Sequence, residues 1–480
     1  MKENKKITVI ILLIFFASTA TSQSKNTEFI EPGGIDVFPN HNEVANGKVS
    51  LASMISDGQK LFKTVFNSSD GAGRPESTGD SKPTLRNLPT IQFNRIAGPD
   101  ASSCVDCHNF PFSGGAGGFT ANVFVGAHFT DPPTNIIDSD VTNERNTISI
   151  FGAGAIETLA YEMSNELHVI KEEALLEAKN NNQNVRKSLQ AKDIDFGYLI
   201  ALPNGTYDDS GIKGVDKDLV VKPFGVKGVA VSLREFTNFA LNQHHGIQSE
   251  ERFGWARTGI NDFDGDGIER EFTIGQMSAM VLYQASLPPP KPTVYSDPNL
   301  QQLSERGRKL FEKIGCTTCH VPKLHLRSAW FHEPNGFNRP GSALPRDVEG
   351  QIMLPINAEV GTGVYRDEQG QVYVAAFTDL KRHVICDKDD LHFCNERRIQ
   401  DFVSTDQFMT TKLWDAGTSA PYGHRGDITT ISEAIIHHSG EAKVTKNNYL
   451  SLSSQEKNSV ITFLKSLRVT DEPKLIGDAK

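Results

Sequence analysis

Beyond its first twenty or so residues the 480-residue chain has no apolar run that approaches the ~20 residues needed to span a bilayer. Basic excess is missing too. Lys and Arg number 49 against 59 Asp and Glu, the formal net charge is −10, and no basic stripe stands out, which sets nucleic acid aside as a partner. Cysteine is scarce, at six residues, and none lies where a lipid-anchored export signal would be cut. Aromatic content (8%) and apolar content (38%) are ordinary for a soluble globular chain, with length for roughly two to four domains.

The N-terminus reads as an export signal over residues 1–22. Lys2, Lys5 and Lys6 form a charged start, Ile7 to Phe16 an apolar stretch, and Ser18-Thr19-Ala20 a small-residue cleavage site. The stretch is about half the length of a bilayer span, so cleavage rather than anchoring is expected, with no membrane span afterwards and a periplasmic or extracellular product.

Four of the six cysteines fall in two words, Cys104-Val105-Asp106-Cys107-His108 and Cys316-Thr317-Thr318-Cys319-His320. With 6 Cys and 14 His, chance placement would supply about 0.002 Cys-x-x-Cys-His words per chain. The word is the attachment signature of c-type haem: both thiols bond covalently to the porphyrin and the histidine ligates the iron as His108 or His320. A single zinc site made from both pairs, or a thioredoxin-like redox pair, leaves the histidine unexplained both times. The remaining Cys386 and Cys394 are expected to close a local disulfide in an exported protein.

A faint repeat accompanies the words. Gly58-Gln59-Lys60-Leu61-Phe62 matches Gly307-Arg308-Lys309-Leu310-Phe311, and each copy precedes a haem word. In the second copy Leu303, Gly307, Leu310, Phe311 and Ile314 share one helical face. In the first, about forty Gly-, Pro- and Asn-rich residues intervene. The expected fold is mainly α, with two cytochrome c-like haem domains carrying insertions and a few short strands. The N-terminal domain spans 45–285, a Pro-rich linker 286–298, and the C-terminal domain 299–470. Within this frame Tyr161 to Gln190 reads as a helix, 196–202 as a strand followed by a turn at Asn204-Gly205, and 453–467 as a helix opened by the capping box Ser453/Glu456.

These features resemble the bacterial di-haem oxidoreductase family related to di-haem cytochrome c peroxidase, over most of residues 50 to 470. The resemblance rests on the string Arg145-Asn146 to Gly154, on Asp262 to Gly267 and on Gly315 to Pro322. It also rests on the C-terminal string from Leu413-Trp414 through Ala420-Pro421-Tyr422-Gly423-His424 to Glu433 and His438-Ser439-Gly440-Glu441-Ala442. Arg425 departs from it, because relatives usually carry Asp after that histidine. The resemblance implies a peroxidase that reduces hydrogen peroxide or another small oxidant with electrons from a small donor protein, entering through the C-terminal haem. An electron-transfer cytochrome, or an enzyme oxidising an organic or protein substrate, stands as the alternative.

The sixth iron position decides between these chemistries. Thr430 and Glu433 cap a helix on which Ile431, Ala434, Ile435 and His438 share the apolar face while His437 points away, so His438 is the expected distal ligand of the second haem. For the first haem the resemblance points to His128, after Gly114, Gly115, Gly117 and Gly118. His244 and His245 are rivals that no helical pattern separates. Resemblance also places Glu157 as the catalytic acid–base group, His383 and His424 as supports of a haem, Trp414 between the haems, and Asn146, Ser419 and Pro421 around calcium. Independently, Asp262, Asp264 and Asp266 have the spacing of a Ca²⁺ loop start, with Thr273 where an EF-hand carries Glu.

Overall fold

The glycine of each repeat marks a place where two helices touch. The computed structural model describes residues 31–73, 99–118, 120–124, 142–356, 364–396 and 398–472. Helix Leu51–Lys63, capped by Ser50, buries Met54, Ile55, Gly58, Leu61 and Phe62 on one face. That face meets helix Ile274–Ser286, which opens with the capping box Thr273/Gln276. A Cβ at Gly58 would stand 1.9 Å from the Ala279 carbonyl oxygen. The second copy repeats the arrangement. Helix Pro298–Lys313, with Asp297 as cap and Pro298 in its first turn, packs on helix Ser454–Ser466 with its capping box Ser453/Glu456. A Cβ at Gly307 would lie 1.9 Å from the Ser459 carbonyl oxygen. Glycine is required at both crossings because the backbones themselves are in contact. Four residues past each contacted carbonyl stands an aromatic ring. Phe62 packs on Tyr283 at 5.2 Å between centroids, and Phe311 on Phe463 at 5.5 Å.

Between these helix pairs the long helix Ala153–Asn181 and the sheet of Val185–Ala191, Ile194–Ala201 and Tyr207–Asp208 replace the expected helix from 161 to 190. The helix starts earlier, at Gly152, and stops at Asn182, whose left-handed φ of 51° ends it inside an Asn-rich run. The next seven residues then pair antiparallel with Ile194–Ala201 rather than continuing the helix. All strands among the described residues form two- or three-stranded antiparallel sheets.

The expected linker 286–298 is a seam that is packed at its start and largely exposed from Lys291 on. Ser286 and Leu287 are buried, and residues 33–480 fall in one compact unit. The main apolar core draws Phe331, Leu354, Val374 and Trp414 from beyond the seam to pack with Leu159, Leu199 and Leu282 from before it. A second core joins Leu310, Phe311, Phe377, Ile431, Tyr449, Phe463 and Leu464 around the second helix pair. Cys386 and Cys394 form a disulfide. Among the described residues no helix is long and apolar enough to cross a membrane. The expected signal, 1–22, lies outside them.

Candidate haem centres

Each Cys-x-x-Cys-His word is presented by one tight turn beside its helix pair. Ser103 and Asp106 cap the turn Cys104–Cys107, and the second word turns through Cys316–Thr318. In both, the histidine N–H donates to the carbonyl of the first cysteine at 3.0 Å. The imidazoles are braced alike. His108 Nδ1 faces the Gly115 carbonyl at 3.3 Å, and His320 Nδ1 faces the Phe377 carbonyl at 3.0 Å. Such a second bond fixes the tautomer and turns Nε2 toward a metal. The repeat phenylalanine lies 6.3 Å from the His108 ring and 6.2 Å from His320. Burial lowers the pKa of both histidines to about 4, so each is the neutral imidazole that iron requires. Burial likewise raises Cys104 and Cys316 to about 12.

The words line different cavities. Cys107 and His108 lie on one of about 200 Å³, and Cys316, Cys319 and His320 on one of about 580 Å³. A single zinc site would need the cysteine pairs side by side, so that alternative is set aside. Thiols on a cavity wall beside a braced, neutral imidazole are the donor set that would hold a covalently attached haem.

His438 lines the second cavity, and its Nδ1 faces the Ala434 carbonyl at 2.6 Å, the same bracing that His320 has. His437 turns away to stack on His392 at 4.0 Å. Around the same cavity His383 sits between Asp379 (2.8 Å from Nε2) and Glu441 (2.8 Å from Nδ1). Burial opposes its charge, but Asp379 and the Cys319 sulfur together outweigh it and hold the pKa up at about 11. His424, pushed down to about 3 by burial and then by Arg145, faces Asn395 Oδ1 at 2.8 Å. Ser419 and Pro421 are also on this wall. Asn146 Nδ2 donates to the Pro421 carbonyl at 2.6 Å, while its Oδ1 is buried with no hydrogen-bond partner among the described residues. Trp414 is packed in the main core with its ring edge on Gly152, and it lines neither cavity.

At the first cavity the structure separates the rivals. His244 is on the wall, with Nδ1 2.9 Å from Asp100 Oδ2. His245 turns to the word itself, its Nδ1 facing the Ala101 carbonyl at 2.7 Å and its Nε2 lying 3.7 Å from Cys104 Sγ. Both belong to a π-helical turn, Leu241–His245, a local widening that recurs at functional sites. His128 lies outside the described residues. Glu157 does not reach this cavity. Ala153 and Ile156, three apart, face it, while Glu157 is one residue further round the helix. Its carboxylate instead accepts from the Leu233 N–H (2.7 Å) and from Asn335 Nδ2 (2.8 Å), and burial raises its pKa to about 8. No carboxylate lines the first cavity among the described residues.

Away from both cavities, oxygens of Asp262, Asp264 and Asp266 lie within 4.8 Å of one another. Asp262 also accepts from the N–H groups of Gly265, Asp266 and Gly267. Arg425 pairs with Glu144 at 2.9 Å.

No family model matches the chain. Over 188 residues it is 26% identical to the cytochrome-c peroxidase IdrP1 of Denitromonas iodatirespirans, a match covering 36% of this chain and 44% of that relative. The chain thus spans less than half the length of the curated relative it matches. Two solved structures align at low similarity. The hydrazine synthase of Kuenenia stuttgartiensis aligns over 96% of this chain and 100% of its own, with 14% identity and a TM-score of 0.37. A MauG-like protein associated with microbial copper homeostasis aligns over 55% and 77%, with 17% identity and a TM-score of 0.25.

Proposed function

We propose that this chain is an exported di-haem c-type oxidoreductase, a peroxidase reducing hydrogen peroxide with electrons from a small donor protein. The observation that carries the reading is the duplication. Two Cys-x-x-Cys-His words each stand beside a glycine-crossed helix pair, with a phenylalanine and a backbone-braced histidine in matching places. The partial likeness to a cytochrome-c peroxidase agrees with it. Cys104, Cys107 and His108 would hold one haem, and Cys316, Cys319 and His320 the other. His438, on the wall of the second cavity, would be a further ligand there, and that haem would take up electrons from the donor. Peroxide meets the first. There His244, beside Asp100, would exchange a proton with peroxide, while Glu157 holds the Leu233 backbone and Asn335. Calcium fits two places, the Asp262-Asp264-Asp266 turn and the buried Asn146 Oδ1 near Pro421.

A pyridine haemochrome assay should give two haems per chain, retained on a denaturing gel. Half-reduced protein should consume peroxide far faster than free haem does. Two haems without such turnover would make the chain an electron carrier, and fewer than two would overturn the di-haem reading.

A further inference from the structure

The two cavities share a wall. It is built from residues 146–149 of one half and 409–412 of the other, with Val226, and each of these nine residues lines both cavities. Eight are uncharged; the ninth is Lys412. Its Nζ donates to the Ser149 carbonyl at 2.7 Å, which ties the side chain across the wall from one segment to the other. Asp415, buried, faces it from the second cavity. Burial works against the Lys412 charge and Asp415 supports it, while on the other side its charge reaches His108. A lysine in such surroundings costs stability, so its place calls for a use. The proposed peroxidase chemistry does not employ it.

We propose that Lys412 is an electrostatic bridge between the two haems, a fixed cation in their common wall that favours an added electron on either iron. The inference rests on the di-haem reading. A cation held in a low-dielectric wall common to two redox centres raises the reduction potential on each side of it, with Asp415 offsetting part of the effect on the second side, whose cavity it lines. One electron leaves one iron and arrives at the other. No bond forms or breaks. Lys412 is thus a positioning residue for charge, and it need touch neither oxidant nor donor.

The test is spectroelectrochemical titration of the holoprotein and of Lys412→Met, Lys412→Gln and Lys412→Arg, with haem content measured on each. Loss of the charge should lower both potentials by at least tenfold in the one-electron equilibrium, about 59 mV, while Lys412→Arg stays near the parent. Unmoved potentials, or a shift at one haem alone, would overturn the bridge even where two haems are present. Should Lys412→Met lose a haem, Lys412→Gln, which keeps a donor for Ser149, carries the same comparison. A parent protein without two haems would instead fail the di-haem reading itself.

Discussion

The two haem words sit in one design on the side of the attached histidine and in two designs on the side facing it. On the shared side the glycine crossing, the aromatic four residues on, the phenylalanine and the carbonyl bond to Nδ1 all recur, within 0.3 Å in each matched distance quoted above. On the facing side the second cavity has His438 braced by its own helix, with His424 on the same cavity wall. The first has His244 on a π turn, held from Asp100 by a side chain rather than a carbonyl. Attachment geometry is strict, because two thiols and an imidazole must meet one flat ring, whereas the opposite face is where a duplicated module can acquire separate chemistry.

The largest expected effect breaks the comparison on the facing side. His438→Ala should turn the second haem from low-spin to high-spin and leave the first unchanged, whereas His437→Ala should change neither; electronic absorption and EPR spectra read both. A low-spin second haem in His438→Ala would falsify the assignment. A smaller effect sharpens the comparison on the shared side. Gly58→Ala and Gly307→Ala each force a methyl group against a helix backbone, and each should cost about 1–3 kcal/mol with a lower melting temperature. If one substitution is tolerated and the other is not, the helix crossings are not equivalent. The smallest concerns the acidic loop Asp262–Asp266 of the first half. A tenfold excess of calcium over Kd stabilises by about 1.4 kcal/mol, so a chelator should lower the melting temperature slightly. Asp264→Ala should remove that part of the response; an unaltered response would leave the Asp262–Asp266 loop as a turn only.

What could be read from the sequence was local. The words, the paired glycines and the capping boxes at Thr430/Glu433 and Ser453/Glu456 all appear where their spacing places them. The helix capped by Thr430 closes sooner than helical periodicity assumes, at Ile436, so His437 is its cap and His438 lies just past it, held by the Ala434 carbonyl. The helix drawn from Tyr161 to Gln190 failed at a local signal too, since the Asn180-Asn181-Asn182 run before Val185 marks a stop. The choice between His244 and His245, and the places of Glu157 and Lys412, depend on partners far along the chain. His244 is selected by Asp100, 144 positions away, through a π turn that apolar periodicity does not encode. Glu157 is drawn from the cavity by Asn335, 178 positions on. Lys412 is placed by a carbonyl 263 positions before it. A single sequence carries no sign of such pairings.

The common wall also bears on how such a chain can be divided or inherited. A fragment ending at Pro290 would keep His108 and His244 but lose Leu380, Gln400 and the 409–412 segment from the same cavity. The complementary fragment would keep His320 and His438 and lose 146–149 and Val226. Each half therefore owns a haem word but not a complete chamber for it. Exchange of one half with a relative would have to match the partner's wall as well as its own.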